Sequence, residues 1–424
     1  VEVQLDNGRG YTLMFYPWRL PRSHGLFLER AELAPCEFLF VFIHLSPPGF
    51  LSSQRILAAA GLSVKTDDKC RRQLMDFDLL KRLCETPGVP GKEDRIREVV
   101  KEALAPLVDS LEVDVMGNVV GIKRGSGARK VMLAAHIDEI GFMVRYIDDK
   151  GFVRLQPLGG FDARQLFAQR VLVHTRSGEM LRGVLAYSTK PAHLLTPEEM
   201  NKAPQIESFF VDLGMTAEQV KEKVSVGDMV TMDRTTESCG ETFFGKAMDD
   251  RVGVFVMIEA MRLLRDKRTE VDIYAVATTQ EEVGLRGATT AAYAIEPDIG
   301  IALDVTLAND YPGPSDTETV TKLGQGVAIK IMDGSLICHP KLVEHFRDIA
   351  EREGIPHQME ILPRGGTDAG ALQRSRSGTV SITISVPTRY VHTVNEMVHR
   401  KDIEAAATLL ARYLEEAHTR DYRY

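Results

Sequence analysis

Three apolar runs in this 424-residue chain stop at a residue able to ligate a metal, and that coincidence limits the fold more than any other feature. VMLAA (131–135) leads into His136, AVATTQ (275–280) into Glu281 and Glu282, and IGIAL (299–303) into Asp304. Short runs of this composition read as strands buried on both faces. In an open α/β sheet, groups that meet a ligand lie beyond the carboxyl ends of such strands. Three side chains thus converge on one sheet edge. Asp249 and Asp250 in GKAMDDRVG (245–253) sit just before a helix, where a carboxylate is favoured by about 0.3–1 kcal/mol. His392 lies in a loop after ISVPTRY, where Pro387 is expected to stop the strand.

His136, Asp249, Glu282, Asp304 and His392 offer two imidazoles and three carboxylates, too few for two closed four-coordinate sites. One carboxylate shared between two ions resolves the shortage, with a water filling the gap. Such a pair makes a reactive water near neutral pH and polarises a carbonyl. Glu281 is then a spare carboxylate beside a ligand, a candidate general base. Singly, each residue has a plainer reading. Asp249–Asp250 caps a helix, Glu281–Glu282 makes a solvated acidic corner, and His136 with Asp138 is a common H-x-D pair. Their conjunction at strand ends points to a two-metal hydrolase.

Regular patterning begins at Met75. Ahead of it, residues 1–74 show little sustained periodicity, and we read Met75 as the natural start, the alternative being a genuine N-terminal extension. A helix follows the turn bounded by Pro87 and Pro90, with Ile96, Val99, Val100, Ala103 and Leu104 on one face. Strands are expected at 111–116, 118–124, 130–135 and 141–147, the first two joined by a turn at MGN (116–118). From about 148 to 232 short β-like pieces dominate, as in an inserted domain. Helices at 251–266, 340–353 and 401–417 then alternate with strands at 271–279, 299–305, 358–362 and 381–386. That alternation predicts an α/β fold with a mostly parallel sheet covered by helices on both faces. In GGTDAGALQ (365–373), Thr367 and Asp368 are expected to shape the site wall and cap a helix, and His339 and His345 to lie on a helix surface.

A net charge of −8 and a pI near 5.8 argue against nucleic acid as a partner. The five cysteines are scattered without C-x-x-C, as in a cytoplasmic protein with reduced thiols. FLFVFIHL (38–45) falls well short of the roughly 20 residues a membrane span needs.

The motifs AHIDEIGFMV, GKAMDDRVG, TTQEEVGLRGA, ALDVT, GGTDAGALQ and PTRYVHT stand here in one order. In that order residues 75–424 resemble the tetrahedral co-catalytic metallo-aminopeptidases, whose members are also named glutamyl or deblocking aminopeptidase or cellulase M. The resemblance implies a zinc-aminopeptidase-like catalytic domain, 75–142 and 236–424, with a PDZ-like dimerisation domain, 143–235, inserted. It implies two divalent ions, zinc foremost, with cobalt or manganese as alternatives. Asp249 would bridge them, joined to Asp250 by a cis peptide. His136 and Asp304 would complete one ion, and Glu282 and His392 the other. Glu281 would act as general base, and Asp138 would accept the second ring N–H of His136. Peptides are the implied substrates, cleaved at their N-termini, and the implied assembly is a dodecamer built from dimers. A two-metal deacylase of acylated amino acids, or an endoglucanase, are the competing activities.

Overall fold

The computed structural model describes residues 75–127 and 129–424, the Ala192 side chain apart, and before them only the backbone of four short strands. There β1 (Glu2–Gln4) pairs antiparallel with β2 (Gly10–Thr12), and β3 (Leu28–Ala31) with β4 (Phe38–Val41). The reading of 1–74 as upstream sequence otherwise lies outside the described residues. Those strands belong to a unit spanning Val1–Asp76; a second unit, Phe77–Tyr424, holds the rest.

In the second unit α1 (Phe77–Glu85) precedes α2 (Asp94–Leu104), which buries Ile96, Val99, Val100 and Leu104 at helical spacing. Next, β5 (Ser110–Val113) and β6 (Val119–Lys123) form a hairpin. The Asp114 carboxylate accepts the main-chain N–H groups of Met116 and Asn118 there, and Gly117 takes a φ of 89° that glycine alone adopts freely. β7 (Lys130–His136) is buried from Val131 onward, as a strand covered on both faces must be.

Six strands then close into a barrel. They are β8 (Gly141–Ile147), β9 (Val153–Leu158), β10 (Gln169–His174), β11 (Met180–Tyr187), β12 (Phe209–Asp212) and β13 (Met229–Met232), in the order β10-β11-β12-β9-β8-β13. The short helices α3 (Pro197–Met200) and α4 (Ala217–Lys223) lie within this stretch. Along β11, Leu181 and Leu185 are buried while Arg182 and Val184 are exposed, the period of two that fixes register. Phe142, Val144, Val171, Val173, Phe209 and Val211 fill the interior.

The chain returns through β14 (Glu237–Cys239), β15 (Thr242–Gly245), α5 (Met248–Leu263), β16 (Asp272–Thr278), α6 (Arg286–Ile295) and β17 (Ile299–Leu307). It ends with β18 (Val327–Met332), α7 (Pro340–Glu353), β19 (His357–Ile361), α8 (Asp368–Gln373), β20 (Val380–Arg389), β21 (Glu396–His399) and α9 (Arg400–Glu416). α6 and α8 cover one face of the sheet, with Ala291, Ala292 and Leu372 against Met132, Ala134 and Val276. α5 and α9 pack on each other and on the sheet between β7 and β20.

The 11-stranded sheet is mixed, not mostly parallel. Parallel pairing is confined to β20-β17-β7-β16 at the centre and to β18-β19. At both edges strands arrive through short hairpins, β5-β6 and β14-β15, and a tight turn permits only antiparallel neighbours. Nor does Pro387 end its strand. β20 runs through it to Arg389, because Pro387 falls in a gap: β18 pairs only as far as Ser385, and β21 begins pairing at Thr388. A missing N–H is harmless there. His339 and His345 are buried rather than exposed. α7 turns His345 inward, where its ring meets the Tyr422 hydroxyl and the Glu416 carboxylate.

Candidate active site

Parallel register brings the sheet's ligand candidates level. His136 pairs with Thr278, three residues before Glu281, and β17, one strand further along beside β7, carries Asp304. Asp304 lies within β17, three residues short of its end. At the start of α5, Asp249 and Asp250 are joined by a cis peptide and are not yet helical, with φ/ψ of −76°/109° and −115°/35°. His392 sits in the loop between β20 and β21. Ala247, Gln280, Leu285, Tyr390 and His392 all take positive φ, between 55° and 63°. For residues with a side chain each such turn costs about 1–2 kcal/mol, and here they cluster around one site.

Asp249 lies between the two imidazoles. Its Oδ1 is 3.0 Å from His136 Nε2 and its Oδ2 is 3.2 Å from His392 Nε2. Glu282 Oε1 stands 3.6 Å from His392 Nε2, and Glu281 Oε2 3.8 Å from His136 Nε2. Three groups of side chains bring donor atoms within 4.8 Å of one another: His136 with Asp250 and Asp304; His136 with Glu281 and Glu282; Asp249 with Glu282 and His392. Six of the seven sequence candidates therefore meet, joined by Asp250, while the seventh, Asp138, acts on the main chain beside them. His136, Asp249, Glu281, Glu282, Asp304 and His392 line a cavity of about 1350 Å³ whose walls include Phe161, Leu307, Tyr311, Thr367 and Tyr390.

So many buried acids cannot all hold their charge unaided. Burial lifts Glu281, Asp250 and Asp304 well above the usual carboxylate range, and neighbouring carboxylates add to it. Glu282 is pushed up to about 8 by burial and then by Asp249. Burial works against Asp249 too, yet hydrogen bonds to His136 and His392 hold it below the ordinary range. His392 rises to about 10 despite burial, through Asp249 and Glu282. Glu282 Oε1 and Asp368 Oδ1 are buried without a hydrogen-bond partner. An excess of carboxylates, two imidazoles on one shared carboxylate and an orphaned carboxylate oxygen are a donor set that suits divalent cations.

Three further carboxylates hold the main chain of this site. Asp138 accepts from the N–H groups of Glu281 and Glu282 at 3.0 and 3.1 Å. It is the Asp138 carbonyl, not its carboxylate, that receives the His136 Nδ1–H at 3.0 Å. Asp250 accepts from the N–H of His136 at 3.2 Å, and Glu396 from those of Asp249 and His392. Asp250 stands beside the candidate ligand Asp249 and Glu396 four residues after the candidate ligand His392; that proximity was the only sequence signal for either. Thr367 precedes α8 without capping it and bonds Thr383 instead, while Asp368 accepts from the Thr278 hydroxyl at 2.5 Å. Glycines leave room on the barrel side. A Cβ on Gly159 would stand 2.9 Å from Glu282 Oε2, and one on Gly160 3.3 Å from His392 Nδ1.

The chain is similar to known proteins along most of its length. The family model described as M42 glutamyl aminopeptidase matches residues 117–409. A putative aminopeptidase of Acetivibrio thermocellus is 42% identical over 335 residues, 79% of this chain and 97% of the relative. Among solved structures, the aminopeptidase APDkam598 of Desulfurococcus kamchatkensis superposes with a TM-score of 0.76 at 41% identity, over 82% of this chain and 96% of its own. The TET1 peptidase of Pyrococcus horikoshii, which can assemble into a tetrahedron or a large octahedral shell, gives 0.71 at 33% identity, over 80% and 99%. On the fold, the ligand-rich sheet edge and these likenesses, the chain belongs to the M42 glutamyl aminopeptidase family.

Proposed function

We propose that this metal-dependent aminopeptidase binds two divalent ions at the sheet edge, with Asp249 shared between them. His136 and Asp304 would hold one ion, and Glu282 and His392 the other. The observation that carries this reading is Asp249 itself, each of whose carboxylate oxygens faces a different imidazole. Zinc suits the set best, with cobalt or manganese as substitutes. When bound, the ions supply a water of lowered pKa and polarise the scissile carbonyl. Glu281 is left free of the ions, close enough to the His136 ring to accept the water's proton and pass it to the leaving amine. Asp138 keeps Glu281 and Glu282 aimed at the cavity by holding both of their N–H groups.

The cavity has room for an N-terminal side chain and the residues that follow it. A deacylase would need the same ions, but family membership favours the peptide bond. An endoglucanase needs two free carboxylates about a sugar, and the acids here crowd around two imidazoles. We assign the barrel, expected to be PDZ-like, to dimerisation, and a closed assembly of dimers to the whole protein, in line with the assembling TET1 relative. The described cysteines Cys84, Cys239 and Cys338 are unpaired, which suits a reducing cytoplasm. Among the described residues no helix is long and apolar enough to cross a membrane.

The test is hydrolysis of an aminoacyl-chromophore panel by protein stripped of metal and reloaded with zinc, cobalt or manganese, with Glu281→Ala alongside. Metal-restored cleavage that vanishes in Glu281→Ala supports the reading. Folded, metal-loaded protein that cleaves acylated amino acids and no aminoacyl substrate would move it to deacylation.

A further inference from the structure

Glu396 opens β21 and is 1% exposed. Its two carboxylate oxygens are spent on two main-chain donors: Oε1 accepts from the His392 N–H at 2.7 Å and Oε2 from the Asp249 N–H at 3.0 Å. The two donors lie far apart in the chain, and neither sits in regular structure. His392 has φ 63°, with Tyr390 at 60° two residues before it, and Asp249 is not yet helical. Neither segment can satisfy these N–H groups by its own ladder, and a buried donor left without a partner is costly.

Glu396 is itself held firmly. Its main chain pairs with Gly245 of β15, four residues before Asp249. On the other side of the same loop, Val394 packs into the barrel core. The imidazole of His392 is thus fixed relative to the Asp249 carboxylate by one side chain that grips both backbones. The other two carboxylates differ in reach. Asp138 holds the adjacent residues Glu281 and Glu282, and Asp250 holds His136 and Gly253, so neither spans two ligands of one ion.

We infer that Glu396 is a positioning residue for one of the two ions, setting the separation of Asp249 and His392 so that the ion they share binds tightly. The inference rests on the two-ion reading above. It makes the ions unequal. Loss of Glu396 loosens both Asp249 and His392 at one ion, whereas at the other it reaches only the shared Asp249 and leaves His136 and Asp304 untouched. A Gln at this position retains one acceptor oxygen and turns an N–H₂ group toward the other donor, so it keeps half of the grip. Residues that orient metal ligands in this way typically contribute about 10–100-fold in affinity.

Cobalt(II) titration of the metal-stripped full-length chain tests this, following visible absorption with a competing chelator, for the native protein, Glu396→Gln and Glu396→Ala. Thermal melting of each stripped protein and kcat and KM at limiting and saturating cobalt are recorded in parallel. Two equivalents are expected for the native protein. In Glu396→Ala one equivalent should lose about 10–100-fold in affinity and the other far less. Glu396→Gln should fall between. Excess cobalt should restore most of kcat with KM little changed, which a general loss of folding would not allow. If Glu396→Ala does not fold, Glu396→Gln carries the test. Native affinity for both equivalents in a folded variant, or equal weakening of both, overturns the assignment. A native protein that binds fewer than two ions overturns the two-ion reading itself, a result distinct from either.

Discussion

The barrel and the carboxyl edge of the sheet bury opposite kinds of side chain. Inside the barrel, Phe142, Val171, Val173, Phe209 and Val211 are all at or below 1% exposure and touch one another. At the sheet edge the buried groups are Asp138, Asp249, Asp250, Asp304, Asp368 and Glu396, several pushed toward neutrality by burial and by one another. The first arrangement stabilises a fold through apolar area removed from water, at about 25 cal/mol per Å². The second costs stability in order to place charge where a cation can meet it. Function here is located where the folding rules are broken, and the barrel and the two helical layers make up the difference.

The comparison can be broken most sharply at Asp249. Asp249→Ala removes the carboxylate whose two oxygens stand 3.0 and 3.2 Å from the His136 and His392 imidazoles, so metal content by elemental analysis should fall toward zero and hydrolysis to background, while the barrel stays folded. Glu281→Ala is milder: kcat should drop about 10²–10⁴-fold with metal content unchanged. A metal content that falls with it would make Glu281 a ligand. On the barrel side, Phe209→Ala should cost about 3–5 kcal/mol in denaturant unfolding. Its ring sits against Phe167 and Tyr187, and the folded fraction should retain its full metal content.

The barrel has one titrating exception that sharpens the contrast. His174 of β10 is buried, with Nδ1 accepting from Arg95 of α2 and Nε2 against the Thr231 hydroxyl. Burial, then the Arg95 charge, lowers it to about 4. An unfolded His titrates near 6.5, so between these values the unfolded chain takes a proton that the folded one refuses. Stability should therefore fall as pH drops from about 6.5 toward 4, and His174→Gln should show a shallower slope in melting temperature against pH. A slope equal to that of the native protein would remove His174 as its source. The smallest effect belongs to the exposed Lys223–Glu179 pair on the barrel surface, where Lys223→Ala should change stability by less than about 1 kcal/mol.

Much of the sheet edge was legible because periodicity and strand termini are local signals. VMLAA, AVATT and IGIAL are strands in the structure, and the residues at or beyond their ends meet. What escaped depends on partners distant in sequence. The N–H of Asp249 is held by Glu396, 147 positions away, and no spacing rule links the two. Pro387 reads as a strand terminator until the neighbours of β20 show that its missing N–H meets a gap. His345 looks like a surface residue of a polar helix until the C-terminal segment covers it through Tyr422. The mixed character of the sheet was hidden for a similar reason: β14, β15 and β21 are only three or four residues long, too short for a pattern.

The two glycines where the barrel meets the candidate metal ligands carry a consequence for how such chains can be rebuilt. At Gly159 and Gly160 the distance to Glu282 and His392 leaves little or no room for a methyl group, and the His392 loop in turn sends Val394 into the barrel interior. The barrel is therefore a wall of the reaction chamber, not a handle bolted to it. Swapping it for the barrel of a relative to change assembly would also recast the chamber. Such a chimera would keep its catalyst only if the two-glycine seam and a socket for Val394 travelled with the donor.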